Sequence, residues 1–207
     1  MFDNIKSLRF EVGNADDYTA TAMVSSEGEA MDFRTPIAAE GRVEDWMTSV
    51  LNEMRRTNRL LTKESVYYYC HEIKRIDWMN QYQGMIVLAG NQVWWTWEVE
   101  DVFTKVKKGD KLGMKNYSIK MHAQISELVT RVREKLSSND RKKYNAVLII
   151  DVHARDIVDG FVRDSILDIR EFEWESQLRF YWERDIDNLQ VRQCTGTFDY
   201  GYEYMGL

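Results

Sequence analysis

The sequence predicts a mainly α-helical bundle carrying two small β-hairpins. Three observations predict it. There is a single proline, Pro36, in 207 residues, where an average chain would carry about ten. Proline removes an amide donor and breaks helices, so its near absence leaves room for long ones. Between residues 41 and 170 apolar side chains recur at intervals of three and four, the mark of one buried helix face. The flanking stretches, 1–40 and 171–207, read instead as short extended runs around turn residues. The division predicted is therefore an N-terminal hairpin region (1–40), a helical bundle (41–170) and a C-terminal hairpin with the exit of the chain (171–207).

In the first region Thr19-Ala-Thr-Ala-Met-Val24 and Glu29-Ala-Met-Asp-Phe-Arg34 flank Ser25-Ser-Glu-Gly28, which predicts a hairpin with Pro36 ending its second strand. Val43, Trp46, Met47, Val50, Leu51 and Met54 then fall on one helix face. Thr62-Lys-Glu-Ser65 predicts the N-cap of a separate short helix through Tyr67, Tyr68 and Tyr69. From Asp77 the set Trp78, Met79, Tyr82, Met85, Ile86, Ala89, Val93 and Trp97 predicts another helix, weakened and kinked near Gly84 and Gly90. Lys107-Lys-Gly-Asp110 is a turn. Met114, Tyr117, Met121, Ile125, Leu128, Val132 and Leu136 form the cleanest stripe. Ser137-Ser-Asn-Asp140 ends that helix and caps the next, whose buried face is Val147, Ile150, Ala154, Ile157 and Phe161. Asp151, Arg155, Asp159 and Arg163 alternate in sign every four residues, as on an exposed face. The second hairpin is read over 177–183 and 189–195.

Composition narrows the function classes. Hydrophobic residues make up 44%, enough for a real core, and the net charge is −6. Nucleic acid needs a basic footprint to neutralise phosphates, and this balance predicts none. It equally predicts no polybasic membrane anchor. A fully apolar run such as residues 146–150 is far too short to cross a bilayer, and Met1-Phe-Asp-Asn-Ile-Lys-Ser has no signal-peptide pattern; a soluble, intracellular chain is expected. Cys70 and Cys194 are the two cysteines, expected as buried free thiols in a reducing compartment.

No chemistry-bearing motif stands out. None of the eleven glycines precedes a lysine, so no Walker loop is present. Cys70 and His71 are sequence neighbours, poorly placed to share a metal. His153 lies among Asp151, Asp156 and Asp159, which the charge ladder explains more simply than a metal or acid/base cluster. No catalytic, cofactor or metal residue is predicted. Of the tryptophans in Gln92-Val-Trp-Trp-Thr-Trp, Trp94 and Trp97 share a face with Val93 and are expected in the core. Trp95 points elsewhere, into a second packing surface or an exposed docking patch, with packing expected.

Several long segments, taken in order, carry a resemblance. Ile150-Asp-Val-His-Ala-Arg-Asp-Ile-Val-Asp159, Phe172-Glu-Trp-Glu-Ser-Gln-Leu-Arg-Phe-Tyr-Trp182 and Phe198-Asp-Tyr-Gly-Tyr-Glu-Tyr-Met-Gly-Leu207 resemble the C-terminal part of the linker of a dynein heavy chain. Phe2-Asp-Asn-Ile5, Glu40-Gly-Arg-Val-Glu-Asp-Trp46 and Gln92-Val-Trp-Trp-Thr-Trp-Glu-Val-Glu100 extend it over residues 1–207. The tryptophan-rich run is similar to axonemal heavy chains of inner-arm type. The resemblance implies an elongated bundle of linker subdomains that carries the ATP-driven motion of an AAA ring into microtubule-based movement in the cilium or flagellum. It implies that ATP and Mg bind in the ring and not in this segment. The implied partners are the ring of the same heavy chain, other dynein chains and, through the whole motor, microtubules, with no nucleic acid and no membrane. Tyr200, Tyr202 and Tyr204 alternate as along an extended strand. They are expected at the seam with the first AAA module or, alternatively, in the core of the second hairpin; in the first case the chain alone should fray from about Thr197. The rival reading is a free-standing helical scaffold or adaptor that binds proteins through an exposed apolar face.

Overall fold

The computed structural model describes residues 5–14, 17–69 and 73–204. Cys70, His71, residues 2–4 and residues 205–207 of the quoted segments lie outside the described residues. The chain divides into two compact units, Met1–Val87 with Gly201–Leu207, and Leu88–Tyr200. Element type changes near residues 40 and 170, but compactness divides the chain elsewhere.

The first unit begins with β1 (Ile5–Val12), β2 (Tyr18–Ser25) and β3 (Ala30–Ala38), an antiparallel sheet in the order β1-β2-β3. The expected two-stranded hairpin is thus corrected to three strands, because the run before residue 13 also pairs with β2. Gly28, at φ 82°, makes the β2–β3 turn. Ala20, Ala22, Met23, Met31 and Phe33 are the sheet's buried residues.

Pro36 does not end β3, contrary to expectation. Ala20 pairs with Ile37 while Ala22 pairs with Asp32, so residues 33–36 bulge out opposite Thr21. A bulge on an edge strand is where a residue without an N–H is tolerated. The bulged amides find partners on the next element, α1 (Val43–Tyr68). The Arg34 N–H donates to Thr57 Oγ1 (3.2 Å) and the Thr35 N–H to Glu53 Oε1 (2.7 Å).

That need explains the polar interior of α1. Beyond Val50 and Met54 its buried residues are Glu53, Thr57, Asn58, Thr62 and Ser65. Thr62 and Ser65 do not cap a new helix, as expected, but lie inside a single 26-residue helix. Their hydroxyls donate to the carbonyls of Asn58 (2.7 Å) and Thr62 (2.8 Å), satisfying themselves without breaking the helix. Val43, at the start of the predicted apolar stripe, is exposed.

After α1 the expected kinked helix is two helices, α2 (Arg75–Gln81) and α3 (Gly84–Lys107). The backbone at Tyr82 is extended, at φ −124° and ψ 155°. Trp78 on α2 is fully buried, its ring 4.7 Å from Tyr69 and its N–H donating to the Ser65 carbonyl (2.9 Å).

The second unit holds most of α3, then α4 (Gly113–Val132), α5 (Ser138–Asp164), α6 (Phe172–Glu175) and an antiparallel sheet in the order β4-β5-β6: β4 (Arg179–Glu183), β5 (Asn188–Gln193) and β6 (Gly196–Asp199). Met114, Tyr117, Met121, Ile125 and Leu128 are buried along α4, as their spacing predicts, whereas Leu136 lies beyond the helix. Ser137 caps α5 by accepting from the Asp140 N–H (3.0 Å). The second hairpin, too, is three-stranded. Cys194 adopts φ 49° and turns the chain after Gln193, so that β6 returns along β5.

The core of this unit is apolar and rich in rings. Trp95, Val99, Val102 and Phe103 of α3 meet Met114, Tyr117 and Met121 of α4, and Ala154, Val158 and Phe161 of α5, around Trp174. Trp174 is fully buried, with ring centroids 5.3 Å from Trp95, 5.9 Å from Phe103 and 6.2 Å from Phe161. These edge-on arrangements suit the ring quadrupoles.

Candidate functional site: the tryptophan helix and the aromatic exit

Of the tryptophans of α3, Trp95 packs as expected and Trp97 does not. Trp95 is core, at 8% exposure, whereas Trp97 is 59% exposed and Trp94 is half-buried beside it, their rings 5.1 Å apart. The expectation that Trp97 is core is therefore corrected. The reason lies in composition: α3 is apolar nearly all round, so spacing cannot say which side faces the bundle. The residues that α4, α5 and α6 cover are 95, 99, 102 and 103, a stripe rotated from 93 and 97.

One carboxylate on α3 ties this helix to the second sheet. Glu100 Oε1 accepts from the Tyr181 hydroxyl (2.5 Å) and the Trp174 indole N–H (3.3 Å). Burial, then the Glu100 charge beside it, raises the Tyr181 pKa. The Phe180 N–H donates to Thr96 Oγ1 (3.0 Å). Sequence reading passed over Glu100 and Thr96; their signal is the polar residue every fourth position in an otherwise apolar helix.

The charge ladder on α5 keeps one rung, Arg155 to Asp159 at 4.0 Å, and is otherwise corrected. Asp151 is buried at 7% exposure and accepts from the Asn91 side-chain amide of α3 (3.1 Å). Asp159 accepts from Ser118 (2.6 Å) and sits 2.9 Å from the His122 ring on α4. Arg155 and Arg163 pair with their neighbours Asp156 and Asp164 at 2.6 Å. The aspartates thus serve interhelix bonds more than an intrahelical ladder. His153 is exposed. Among the described residues no group of three or more His, Cys, Asp or Glu side chains could hold a metal ion, and no helix is long and apolar enough to cross a membrane. Cys194 is a free, exposed thiol in the β5–β6 turn, correcting the expectation of burial.

The exit aromatics do not share one face. Phe198 on β6 is exposed. Tyr200 is half-buried in the second unit, its ring 6.5 Å from Phe180 and its N–H donating to the Leu189 carbonyl (3.0 Å). The alternation then fails, because Tyr202 adopts a left-handed backbone at φ 52°. Tyr202 and Tyr204 are 7% and 2% exposed and belong to the first unit. Burial raises the phenol pKa of both Tyr200 and Tyr204. From Thr197, where the seam reading expects fraying, β6 pairs with β5, and residues 201–204 have partners inside the chain. The Tyr202 carbonyl accepts from the Asn58 amide (2.8 Å), Glu203 pairs with Arg55 (2.7 Å) and the Tyr204 hydroxyl lies 3.5 Å from the Glu29 carbonyl. Asn58 was missed as a candidate, although it stands where the stripe of Val50 and Met54 asks for another apolar residue.

Residues 1–65 match the family model described as dynein heavy chain, N-terminal region 2. The whole chain aligns with dynein axonemal heavy chain 10 of Homo sapiens at 69% identity over 207 residues, covering 100% of this chain and 5% of that protein. It aligns with the dynein-1-alpha heavy chain, flagellar inner arm I1 complex, of Chlamydomonas reinhardtii at 54% identity, covering 100% of this chain and 4% of that protein. The ciliary dynein beta chain of Tripneustes gratilla is 37% identical over 209 residues, again over 100% of this chain and 5% of that protein. The chain thus spans about one-twentieth of the length of these relatives. Along its whole length the chain is similar to axonemal dynein heavy chains, and its first 65 residues match the family model of their N-terminal region 2.

Proposed function

We propose that this chain is the ring-proximal linker segment of an axonemal dynein heavy chain, an elongated arm that carries the ATP-driven motion of the AAA ring into microtubule sliding in the cilium or flagellum. The observation that carries this reading is the 69% identity to an axonemal heavy chain, sustained over all 207 residues. The relative named for a flagellar inner arm complex, at 54%, supports an inner-arm setting. A free-standing scaffold is not favoured, since alignment with heavy chains leaves no part of the sequence over for a separate role.

In this reading the segment does no chemistry. Nucleotide sites lie in other parts of the heavy chain, and partners are the AAA ring, other dynein chains and, through the assembled motor, microtubules. Close packing such as that around Trp174 resists gradual deformation and moves as a body. Of the exit aromatics, the exposed Phe198 is the ring that can meet the AAA module, while Tyr200 packs beside Phe180 and Tyr202 and Tyr204 are buried in the first unit.

The test places a fluorescent protein in the exposed turn at residues 184–187 of the full heavy chain and a second one in the ring, since exposed polar turns tolerate insertion. Energy transfer between the two should change between the nucleotide-free and ATP-bound motor. Transfer that stays constant through the cycle would overturn the linker reading.

A further inference from the structure

We infer that Asn58 and Arg55 of α1 are positioning residues that clasp residues 201–204, fixing where the chain leaves the first unit. The mechanical consequence rests on the linker reading, in which the run from Tyr200 onward leads to the first AAA module.

Asn58 is fully buried, yet its Oδ1 has no partner. A half-satisfied buried amide is unfavourable for the helix that carries it, and an apolar residue would continue the face begun by Val50 and Met54. What the amide does accomplish is to hold the Tyr202 carbonyl at 2.8 Å. That carbonyl belongs to a residue at φ 52°, a region that aromatic residues seldom occupy and that persists only where the surroundings over-determine it.

The neighbours of Tyr202 are held in different ways. Glu203 pairs with Arg55, one turn before Asn58 on α1, at 2.7 Å. Tyr204 is buried, with its hydroxyl 3.5 Å from the Glu29 carbonyl at the β2–β3 turn. Three successive residues are thus fastened by a carbonyl, a carboxylate and a ring, all to the first unit. A pull at the exit is delivered to α1, a 26-residue helix about 39 Å long. The polar stripe of α1 passes it on to the bulge of β3.

The test is hydrogen exchange, read by peptide on the full heavy chain together with ATPase and gliding. Asn58→Ala should speed exchange at residues 201–204 about tenfold and leave α5 unchanged. R55E and E203R should each loosen the same peptide, and the double variant R55E/E203R should restore it. Gliding should slow in each single variant at unchanged basal ATPase and recover in the double. Unchanged exchange at 201–204, a rise spread equally over α5, or a charge swap without rescue overturns the clasp. If Asn58→Ala does not fold, the charge pair decides alone. Exchange that rises locally while gliding keeps its speed leaves the clasp standing and overturns the linker reading instead.

Discussion

In the first unit, α1 turns Glu53, Thr57, Asn58, Thr62 and Ser65 inward; in the second, α3, α4 and α5 turn Trp95, Phe103, Tyr117 and Phe161 inward around Trp174. The first arrangement is directional. Each of these side chains meets a named backbone group, although the Asn58 Oδ1 is left without a partner, and the bulged strand and the exit are held at fixed positions along the helix. The second is largely non-directional, and its strength scales with the apolar area removed from water. The difference teaches that one short chain can hold geometry with hydrogen bonds in one place and stiffness with packed rings in another.

The sharpest way to break this comparison is in the ring cluster. Trp174→Ala removes a side chain that meets three other rings and should cost about 3–5 kcal/mol, read as a large fall in the denaturation midpoint. A loss below about 1 kcal/mol would mean that the second unit is not held by packing around this residue.

The matching test of the first unit is smaller. Glu53→Ala leaves the Thr35 amide and the Thr57 hydroxyl without their acceptor and should cost about 1–3 kcal/mol. Glu53→Gln keeps an acceptor there and should cost less. Equal losses in the two variants would show that the interaction needs the charge and not the hydrogen bond.

A third effect is electrostatic. Burial pushes the Asp159 pKa up, but the Ser118 hydroxyl, the His122 ring and Arg155 more than offset it and leave it below the usual 3.8. A depressed folded pKa gives stability that is present above the unfolded value and is lost as pH falls through the folded one. Acid titration should therefore show stability falling below about pH 4, with a shallower fall in Asp159→Asn. Identical acid limbs would remove Asp159 from the account.

The smallest effect is expected at the exposed ring of α3. Trp97→Ala should change stability by no more than about 0.5 kcal/mol. A loss as large as that of Trp174→Ala would move Trp97 back into the core and blur the contrast between the two faces of the helix.

Legibility in the sequence followed the same divide. The stripe of α4 and the Ser137 cap could be read because an amphipathic helix and an N-cap serine are local patterns. The core of α1 could not, since Thr62 and Ser65 look like a helix start until their hydroxyls are seen bonded to preceding carbonyls. Trp95 and Trp97 could not be told apart on a helix apolar on most sides. Asp151 looked like a surface charge because its partner Asn91 is 60 residues away. The exit was misread as a straight strand because a tyrosine, unlike a glycine, gives no hint of a left-handed backbone.

The bulge at Pro36 has a consequence for the solubility of the chain. An edge strand with a free row of amides is a template on which another copy can add a strand. Along β3 the ladder is interrupted at residues 33–36, one position has no N–H to offer, and the Arg34 and Thr35 amides are occupied by Thr57 and Glu53. The outer margin of the first sheet is thereby guarded against edge-to-edge aggregation by the same side chains that hold it to α1.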